Sequence, residues 1–386
     1  PMFSARALPK DAKAVLDSFC DIVQGVRPMN SRQLLQLPQD VRRLSHELTD
    51  ERGERRIGYM NDASFLSAYT RYFTWWNLVR LTRLFANLGA DAFGVGDDDI
   101  CLDIGSGPLT AVIALWLACP QLRSKKLTWY CMDISQNALS LGEDLYLSIA
   151  ARTPPADGGE AHWNIIRVKG PIGTEIRKKA NLITCANVFN ELSQTGAYRP
   201  EAFAEKYAAV LEGYAAEERT ILVVEPGVPA PARIISLMRG CFLASGMHIT
   251  APCPHAGACA MNGLHARMGG TAKWCNFAFT TEDAPQRLLK LSRDSDLPKE
   301  RAVLSFVLSS SLIPLPSSLF IRVVSDPIFF FFHRIGYYAC SSLGLTLAVN
   351  VSAAHLASGD LVQIEPLHDL SNLNKDAKTA AAVINV

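Results

Sequence analysis

Three cysteines lie close together in a loop-forming part of the sequence and have the chemistry of metal ligands. Cys253, Cys259 and Cys275 belong to the segment ITAPCPHAGACAMNGLHARMGGTAKWCNF, which is rich in Gly, Ala and Pro. Such a segment lacks the bulky side chains needed for a core of its own. Thiolates on one metal centre would stabilise it, because metal-binding free energy then becomes folding free energy. The intervals of five and fifteen residues differ from the usual Cys-x-x-Cys zinc knuckle. The sequence therefore predicts a metal site that takes a fourth ligand from elsewhere in the chain.

Cys340 is the best candidate for that fourth ligand. Residues 336–339 read GYYA and predict a short strand that could bring Cys340 to the loop. His255 and His265 are alternatives, and two Cys with one or two His would indicate zinc. Four cysteines are compatible with zinc or an iron–sulfur cluster, since soft thiolates bind both. The other six cysteines lie in apolar periodic segments and are predicted to be core residues: Cys20, Cys101, Cys119, Cys131, Cys185 and Cys241.

A second group of residues is typical of a nucleotide site. In ICLDIGSGPLTAVIALW an apolar strand brings Asp103 to a loop with Gly105, Ser106 and Gly107, and a helix follows. Glycines permit a sharp turn and close approach of a ligand, which the amides of the helix N-terminus face. Asp133 ends the next apolar strand, LTWYCMD, where a carboxylate can accept hydrogen bonds from both hydroxyls of a ribose. Together the two motifs predict a cofactor that contains a nucleoside.

The residue at the third glycine position of the loop distinguishes a dinucleotide from other nucleoside cofactors. A dinucleotide fingerprint would have Gly where this chain has Thr110, so NAD is disfavoured. Residues 100–250 instead resemble the class I S-adenosylmethionine-dependent methyltransferases, whose first strand reads Asp-x-Gly-x-Gly and whose second ends in an acid. The resemblance implies that the loop glycines border the methionine moiety and that Asp133 holds the ribose. It also implies that Asp103 organises the loop or binds the amino group, and Ser106 is expected in the same site.

The sequence does not single out a catalytic residue. Many amino-methylating relatives carry Asn-Pro-Pro-aromatic after the fourth strand, and the equivalent segment here, ANVFNEL, lacks both prolines. The sequence therefore does not predict the backbone clamp on a target amine. Asn187 is expected to contact the cofactor, and Asn187, Glu191 and Glu225 are the catalytic candidates. Glu225, in VVEPG after the fifth strand, could face the cleft or cap the following helix.

The elements that must position these residues alternate between strand and helix. Strands separated by helix-length patterns indicate right-handed crossovers and a parallel sheet covered on both faces. The predicted fold class is α/β, a class I methyltransferase (Rossmann-like) sheet. It carries an N-terminal helical region, a cysteine-rich metal-binding insertion and a small C-terminal β extension. Strands are predicted at 100–104, 127–132, 163–168, 181–186 and 220–224, and helices near 109–119, 135–151, 199–216 and 230–245.

We divide the chain into four parts along this pattern. They are a helical region (1–95), an S-adenosylmethionine-binding domain (96–250), a cysteine-rich loop with a closing strand (251–310), and a C-terminal β extension with a tail (311–386).

Three local expectations concern the parts outside the central domain. Asp11 could cap a first helix that runs through Val23, and apolar residues at helical spacing predict a buried helix over 63–88. Residues 302–321 are apolar, but their six serines and two prolines favour a strand followed by a loop over a membrane span. The last residues, 371–386, are predicted to be a weakly ordered tail.

The charge of the chain limits its partners. With 38 Lys+Arg against 37 Asp+Glu in 386 residues, the net charge of +1 provides no global attraction to nucleic acid, so any RNA contact must be local. In the arginine-rich segment 41–56, interleaved acids favour a solvated surface over a phosphate-binding one. The N-terminal residues have no apolar run typical of a secretory signal, so disulfides are not expected.

The order of the motifs resembles one family. LDIGSGPLTA, ANVFNEL, VVEPGVPAPARII, APCPHAGACA, KWCNF, LPKERA and a late cysteine strand follow one another over residues 60–345. This order is similar to the mitoribosomal small-subunit methyltransferase-like assembly factors, which have mitochondrial and bacterial members. The resemblance implies a class I methyltransferase fold and a role in ribosomal small-subunit assembly. It also implies a 4Fe–4S cluster, whose ligands match Cys253, Cys259, Cys275 and Cys340.

The leading hypothesis is a factor that binds S-adenosylmethionine and a cysteine-ligated cluster and methylates small-subunit ribosomal RNA. The alternatives are a non-catalytic RNA-binding assembly factor and a small-molecule methyltransferase with structural zinc. The expected partner is the small ribosomal subunit, without membrane association. A bacterial cytoplasmic location is expected, or the mitochondrial matrix if the chain is eukaryotic.

Overall fold

The computed structural model describes residues 7–49, 60, 62–156, 158, 162–193, 199–264, 273–312, 320–330, 334–349, 356–364 and 374–385. His265, one of the alternative metal ligands, lies outside these residues, as do residues 50–56 of the arginine-rich segment.

A mixed sheet of eight strands forms the centre of the molecule. Its order is β3-β2-β1-β4-β5-β8-β6, and β7 pairs with β8. The first five strands are parallel, whereas β8 runs antiparallel to β5, β6 and β7. The strand bounds are β1 Ile100–Ile104, β2 Thr128–Asp133, β3 Asn164–Lys169, β4 Ala180–Ala186, β5 Ala215–Pro226, β6 His248–Ala251, β7 Phe277–Thr280 and β8 Arg301–Ser310.

Helices cover both faces of this sheet. They are α5 Thr110–Ala118, α6 Gln136–Ala150, the short α7 Phe189–Leu192, α8 Pro200–Tyr214 and α9 Pro229–Ala244. Successive residues of β1 point to opposite faces: Cys101 joins one apolar core, and Leu102 joins the other. The five predicted strands and four predicted helices of this region are confirmed, with ends shifted by at most two residues, except that β5 begins five residues earlier than predicted.

The N-terminal helices pack against one face of the sheet domain. They are α1 Lys10–Val26, α2 Ser31–Thr49, α3 Ala63–Ala68 and α4 Trp75–Leu88, and a π-helical segment, Tyr69–Thr74, joins α3 to α4. The predicted buried helix over 63–88 is therefore confirmed as one continuous helical stretch. The indole of Trp75 donates to the carbonyl of Leu16 (2.8 Å), and that of Trp76 donates to the hydroxyl of Ser292 (3.0 Å).

The predicted cap of the first helix is wrong. The N-cap residue of α1 is Pro9, and Asp11 lies in the first helical turn. The Asp11 carboxylate instead pairs with the guanidinium of Arg123, which is buried. The other carboxylate oxygen accepts the backbone N–H of Ala12 in the first turn (2.7 Å), so the side chain joins a local bond to a long-range ion pair.

A second, smaller sheet follows the first. Its six strands are β9 Phe320–Val323, β10 Ile328–Phe329, β11 Ile335–Ser341, β12 Gly344–Val349, β13 Leu361–Gln363 and β14 Ala382–Asn385. The order is β13-β9-β11-β12-β14, and β10 pairs with β11. Helix α10, Gln286–Asp294, precedes β8. The strand predicted before Cys340 is confirmed as β11.

The prediction of a weakly ordered tail is wrong for the residues that the structure describes there. Residues 382–385 form β14, which pairs in parallel with β12, and Ile384 is buried. The apolar end of this segment supplies the pairing surface, since a strand edge with a small apolar face stabilises an added strand.

Residues 301–310 form strand β8, as expected, and the loop predicted after it lies largely outside the described residues. Among the helices of the described part of the chain, none has the length and apolarity needed to cross a bilayer.

Candidate functional site

The glycine-rich loop connects β1 to α5 at the carboxyl edge of the parallel strands. Gly105 and Gly107 have positive φ angles of 66° and 50°, a region that side chains disfavour. A Cβ atom on Gly105 would lie 2.2 Å from Cγ2 of Val188, so only glycine fits there. A Cβ on Gly107 would meet nothing within 4 Å. The loop therefore packs tightly on the next strand connection at Gly105 and is open at Gly107.

Asp103 holds this loop against the neighbouring strand. Its buried carboxylate accepts hydrogen bonds from the hydroxyl of Thr184 on β4 (2.7 Å) and from the hydroxyl of Ser106 in the loop. Burial raises the pKa of Asp103 to about 6, although both hydroxyl bonds lower it. Asp103 thus organises the loop, and both of its oxygens have partners within the chain.

Asp133 links the end of β2 to the same loop. One carboxylate oxygen accepts from the backbone N–H of Gly107 (2.9 Å), and the other accepts from the N–H of Ser135 (2.8 Å). Burial raises the pKa of Asp133, and backbone hydrogen bonds from Ser135, Gly107 and Ile134 counteract that rise. Each oxygen can accept a second hydrogen bond, so the carboxylate remains able to receive donors from a ligand.

Asn187 begins the connection after β4. It has a positive φ angle of 59°, its N–H donates to the carbonyl of Val224 (2.8 Å), and its amide oxygen accepts from the guanidinium of Arg80 (3.4 Å). The segment therefore turns sharply at Asn187 without the two prolines of the amino-methylating pattern.

Glu225 occupies a position that neither sequence interpretation foresaw. Its fully buried carboxylate accepts hydrogen bonds from three consecutive backbone N–H groups at the start of α7 (2.7–3.2 Å). It therefore caps the short helix that follows β4, and both predictions, the cleft and the following helix α9, are wrong. Burial raises the pKa of Glu225 to about 8, with a smaller contribution from the half-buried Glu191.

The four predicted cysteine ligands line one small cavity between the two sheets. Cys253 and Cys259 come from the loop after β6, Cys275 precedes β7, and Cys340 lies on β11 of the small sheet. Arg322, on β9, also lines the cavity. The tertiary structure thus brings together cysteines that are up to 87 positions apart in sequence.

Burial and mutual repulsion raise the pKa values of Cys253, Cys275 and Cys340 in this cavity. Burial raises the pKa of Cys275 well above the ordinary value, and nearby Cys253, Cys259 and Cys340 raise it further. The same causes raise the pKa of Cys340 to about 12. A metal would have to displace the thiol protons, since only thiolates bind strongly.

Two buried arginines flank the cysteines. Arg239, on α9, donates to the Cys253 sulfur (3.0 Å) and to the carbonyl of His255 (2.7 Å). Arg322 donates to the carbonyls of Pro252 (2.8 Å) and Gly359 (2.7 Å). Burial lowers the pKa of Arg322 to about 10, and the adjacent cysteines oppose that shift. Among the ion pairs of the described residues, none involves Arg239.

Sequence reasoning missed both arginines, although each gives a signal. Arg239 lies in the helix RIISLMRGCF and Arg322 in the strand FIRV, at positions where the apolar period calls for a buried residue. A cation at a core position is rare unless it is paired, so such a residue indicates a nearby anion or acceptor.

The alternative ligand His255 lies beside Cys340. Its Nε2 is 3.2 Å from the Cys340 sulfur, and its buried Nδ1 has no hydrogen-bond partner. Burial and Arg239 lower the pKa of His255 to about 4. Within the described ranges, no three His, Cys, Asp or Glu side chains are arranged to hold a metal ion. The metal prediction therefore has no direct support beyond the shared cavity.

The architecture defines a class of protein. A parallel sheet with a glycine loop after β1, an acid after β2 and helices on both faces is a Rossmann-like α/β fold of the methyltransferase type. Within that class, the chain belongs to the Rsm22 family. Residues 98–334 match the family model described as mitochondrial small ribosomal subunit Rsm22.

Solved methyltransferase structures are similar to the chain at low identity. A precorrin-6y C5,15-methyltransferase from Geobacter metallireducens shares 10% identity over 61% of this chain and 86% of that one (TM-score 0.32). A methyltransferase from Thiobacillus denitrificans in complex with S-adenosyl-L-homocysteine shares 11% over 60% and 90% (TM-score 0.33). At such TM-scores these likenesses carry no argument about activity. No curated protein sequence gives a significant match.

Proposed function

We propose that the protein binds S-adenosylmethionine at the glycine loop and acts on small-subunit ribosomal RNA during ribosome assembly. One observation carries the cofactor proposal: the Asp133 carboxylate accepts the Gly107 N–H, directly beside the open face of that glycine. A ribose could then bind to the free lone pairs of Asp133 while the methionine moiety lies along Gly105 and Gly107. Membership of the Rsm22 family supports the ribosomal part of the proposal.

The chain's own contribution to methyl transfer would be orientation. Bound S-adenosylmethionine would supply the electrophilic methyl group, which a positioned nucleophile attacks by direct displacement. Glu225 is a poor candidate for a general base because three backbone amides already hold its carboxylate. Asn187 remains a candidate for positioning the acceptor, since its side chain lies at the turn beside the glycine loop.

A methyl-transfer assay on immature small subunits tests this function. Asp133→Ala removes the acceptor of the Gly107 amide and should abolish cofactor-dependent labelling. Asp144→Ala, which removes an exposed acid on α6, is the matched control and should leave labelling intact. If the wild-type protein binds the cofactor and the subunit but transfers no label, the non-catalytic assembly-factor alternative is favoured.

We extend the proposal to the cysteine cavity, where Cys253, Cys259, Cys275 and Cys340 would hold a 4Fe–4S cluster. One observation supports a shared cysteine-ligated centre: the four cysteines line one cavity, although no three ligating side chains of the described residues are arranged to hold a single ion. A cluster attaches each thiolate to a different iron, which suits four cysteines spread around one cavity. The buried guanidinium of Arg239 would also lie next to an anionic centre, which offsets its burial cost.

Anaerobic purification followed by metal analysis tests this assignment. We expect a brown protein with about four irons per chain, in keeping with the cluster type. Cys259→Ser should lose the metal, whereas Cys20→Ser, at a half-buried cysteine of α1 remote from the cavity, should retain it. A colourless protein with stoichiometric zinc would instead support the small-molecule methyltransferase with a structural zinc.

A further inference from the structure

Two cations, Arg80 and Lys299, interact electrostatically, and Arg80 contacts Asn187 of the proposed cofactor site. Arg80 is on α4, and its guanidinium donates to the amide oxygens of Asn77 and Asn187 and to the carbonyl of Val303 (3.1 Å). Lys299 lies four residues before Val303, in the segment that leads into β8. All the acceptors of Arg80 are neutral, and they bind only its two terminal nitrogens. Some of the five N–H groups of its guanidinium are therefore still available to a ligand.

Lys299 is held by aromatic faces. Its ammonium lies 5.7 Å from the ring centroid of Tyr72 and 5.3 Å from that of Trp76. Tyr72, Trp76 and Arg80 follow one another at intervals of four residues, which places them along one face of the helix. The cation–π contacts therefore direct Lys299 along the same helix face as Arg80.

The two positive charges have no ion-pair partner among the described residues. In the described part of the chain, neither Arg80 nor Lys299 takes part in an ion pair. The acidic groups that raise the pKa of Arg80 against its burial are Tyr69 and then Glu225, and the Glu225 carboxylate is occupied by the amides at the start of α7. Two adjacent cations repel one another, and an anion bound between them would relieve that repulsion.

The exposure and protonation state of Lys299 favour binding of an anion. The residue as a whole is exposed, whereas dense surroundings of its ammonium and the charge of Arg80 lower its pKa to about 8. Because solvent reaches the residue, we take it as protonated at neutral pH. A reachable cation beside a half-buried one is the arrangement that takes up an oxyanion from solution.

We propose that Arg80 and Lys299 form an oxyanion-binding site at the edge of the cofactor cleft. The ligand group is a phosphate of the RNA substrate or the carboxylate of the bound cofactor, which present the same oxygen chemistry. The proposal rests on the proposed function, because both groups belong to its ligands. It assigns a local electrostatic contact to a chain whose net charge of +1 provides none globally.

The test compares Lys299→Gln with Lys290→Gln, which removes the same charge from an exposed lysine paired with Asp294 on α10. Two affinities are measured for each protein: that of S-adenosylmethionine, and that of a single-stranded RNA oligonucleotide over a range of salt concentrations. If the site takes a phosphate, Lys299→Gln weakens RNA binding several-fold and lowers the salt slope by about 0.7, the value for one contact with a single strand.

If the site takes the carboxylate, the affinity for S-adenosylmethionine falls several-fold in Lys299→Gln, while an analogue lacking the carboxylate binds as before. In either case Lys299→Arg should restore binding. If Lys299→Gln matches the Lys290→Gln control for both probes, the oxyanion site is wrong. A wild-type protein that binds neither probe would instead contradict the proposed function itself.

Discussion

The cofactor loop and the cysteine cavity both bury polar groups, but they balance them in opposite ways. At the loop, the buried carboxylates Asp103, Asp133 and Glu225 all accept hydrogen bonds from hydroxyls or backbone amides of the chain. At the cavity, the buried cation Arg239 faces a thiol and a carbonyl, and the thiols themselves resist ionisation. The chain itself thus supplies hydrogen-bond donors for the buried carboxylates at the loop. At the cavity its described residues supply no anion for the buried cation Arg239.

This difference shows what each site requires from outside. The loop is already shaped by internal hydrogen bonds, so a cofactor would bind to a preformed surface. Burial of the Arg239 guanidinium destabilises the cavity, and an anionic centre bound there would offset that destabilisation. We therefore expect the stability of the cavity, but not that of the loop, to depend on the bound group.

Replacement of Arg239 by Met should give the largest effect and tests this contrast directly. In the metal-loaded protein the change removes the cation beside Cys253 and should cost about 3–5 kcal/mol of unfolding free energy. In the metal-free protein it removes an unpaired buried charge together with two hydrogen bonds to neutral acceptors, so the cost should be much smaller. Anaerobic denaturant unfolding of the loaded and chelator-treated forms measures both values.

The matched control for that experiment is Arg177→Met, at an exposed arginine in the connection between β3 and β4. It should leave the free energy of unfolding of both forms unchanged. An equal cost of Arg239→Met in the loaded and metal-free proteins would contradict the idea that the cavity lacks an anion.

Replacement of Asp133 by Asn should give an intermediate effect, on binding rather than on folding. The change keeps the size of the side chain but removes the charge that accepts the Gly107 amide. Hydrogen bonds to charged groups contribute about 1.5–3 kcal/mol, so the affinity for S-adenosylmethionine should fall roughly 10- to 100-fold. Calorimetric titration measures it, with Asp144→Asn as the control; an unchanged affinity would remove Asp133 from the cofactor site.

Per pH unit, the pH dependence of stability should show the smallest effect. The pKa of Glu225 is raised to about 8 in the folded protein, so the fold binds a proton that the unfolded chain has already lost. Its contribution to stability is therefore present below the ordinary pKa and is lost as pH rises through about 8. The slope is at most about 1.4 kcal/mol per pH unit.

Glu225→Gln carries no titratable group and should show a shallower decline in unfolding free energy across this pH range. Denaturant unfolding of both proteins at a series of pH values makes the comparison. Parallel pH profiles would mean that Glu225 is ionised throughout and that the three α7 amides outweigh its burial.

The sequence predicted much of the sheet domain because its signals are local. Apolar runs such as 100–104 and 127–132 read as buried strands, and the intervening helical patterns imply parallel pairing with crossovers. The glycines after β1 indicate a turn that only small residues permit, and the structure gives Gly105 a contact that excludes any side chain. The cysteine-rich loop was also recognisable, from its composition and spacing.

Other features depended on contacts between distant segments. Glu225 caps a helix 36 positions earlier at Phe189, and one oxygen of Asp11 pairs with the distant Arg123. The chain end at 382–385 gained its strand from β12. No local pattern specifies these partners, because each side chain satisfies several local rules equally well.

The sequence by itself determined which segments of the central sheet domain become strands and helices, where the backbone must turn at glycine, and which cysteines are candidates for a shared site. Periodicity and backbone sterics act over a few residues, so they can be read from the chain. The tertiary structure alone decided that Arg239 and Arg322 lie beside those cysteines, and which donors satisfy each buried carboxylate. Burial makes charge pairing compulsory, but the partner is whichever group the packed fold brings within hydrogen-bonding distance.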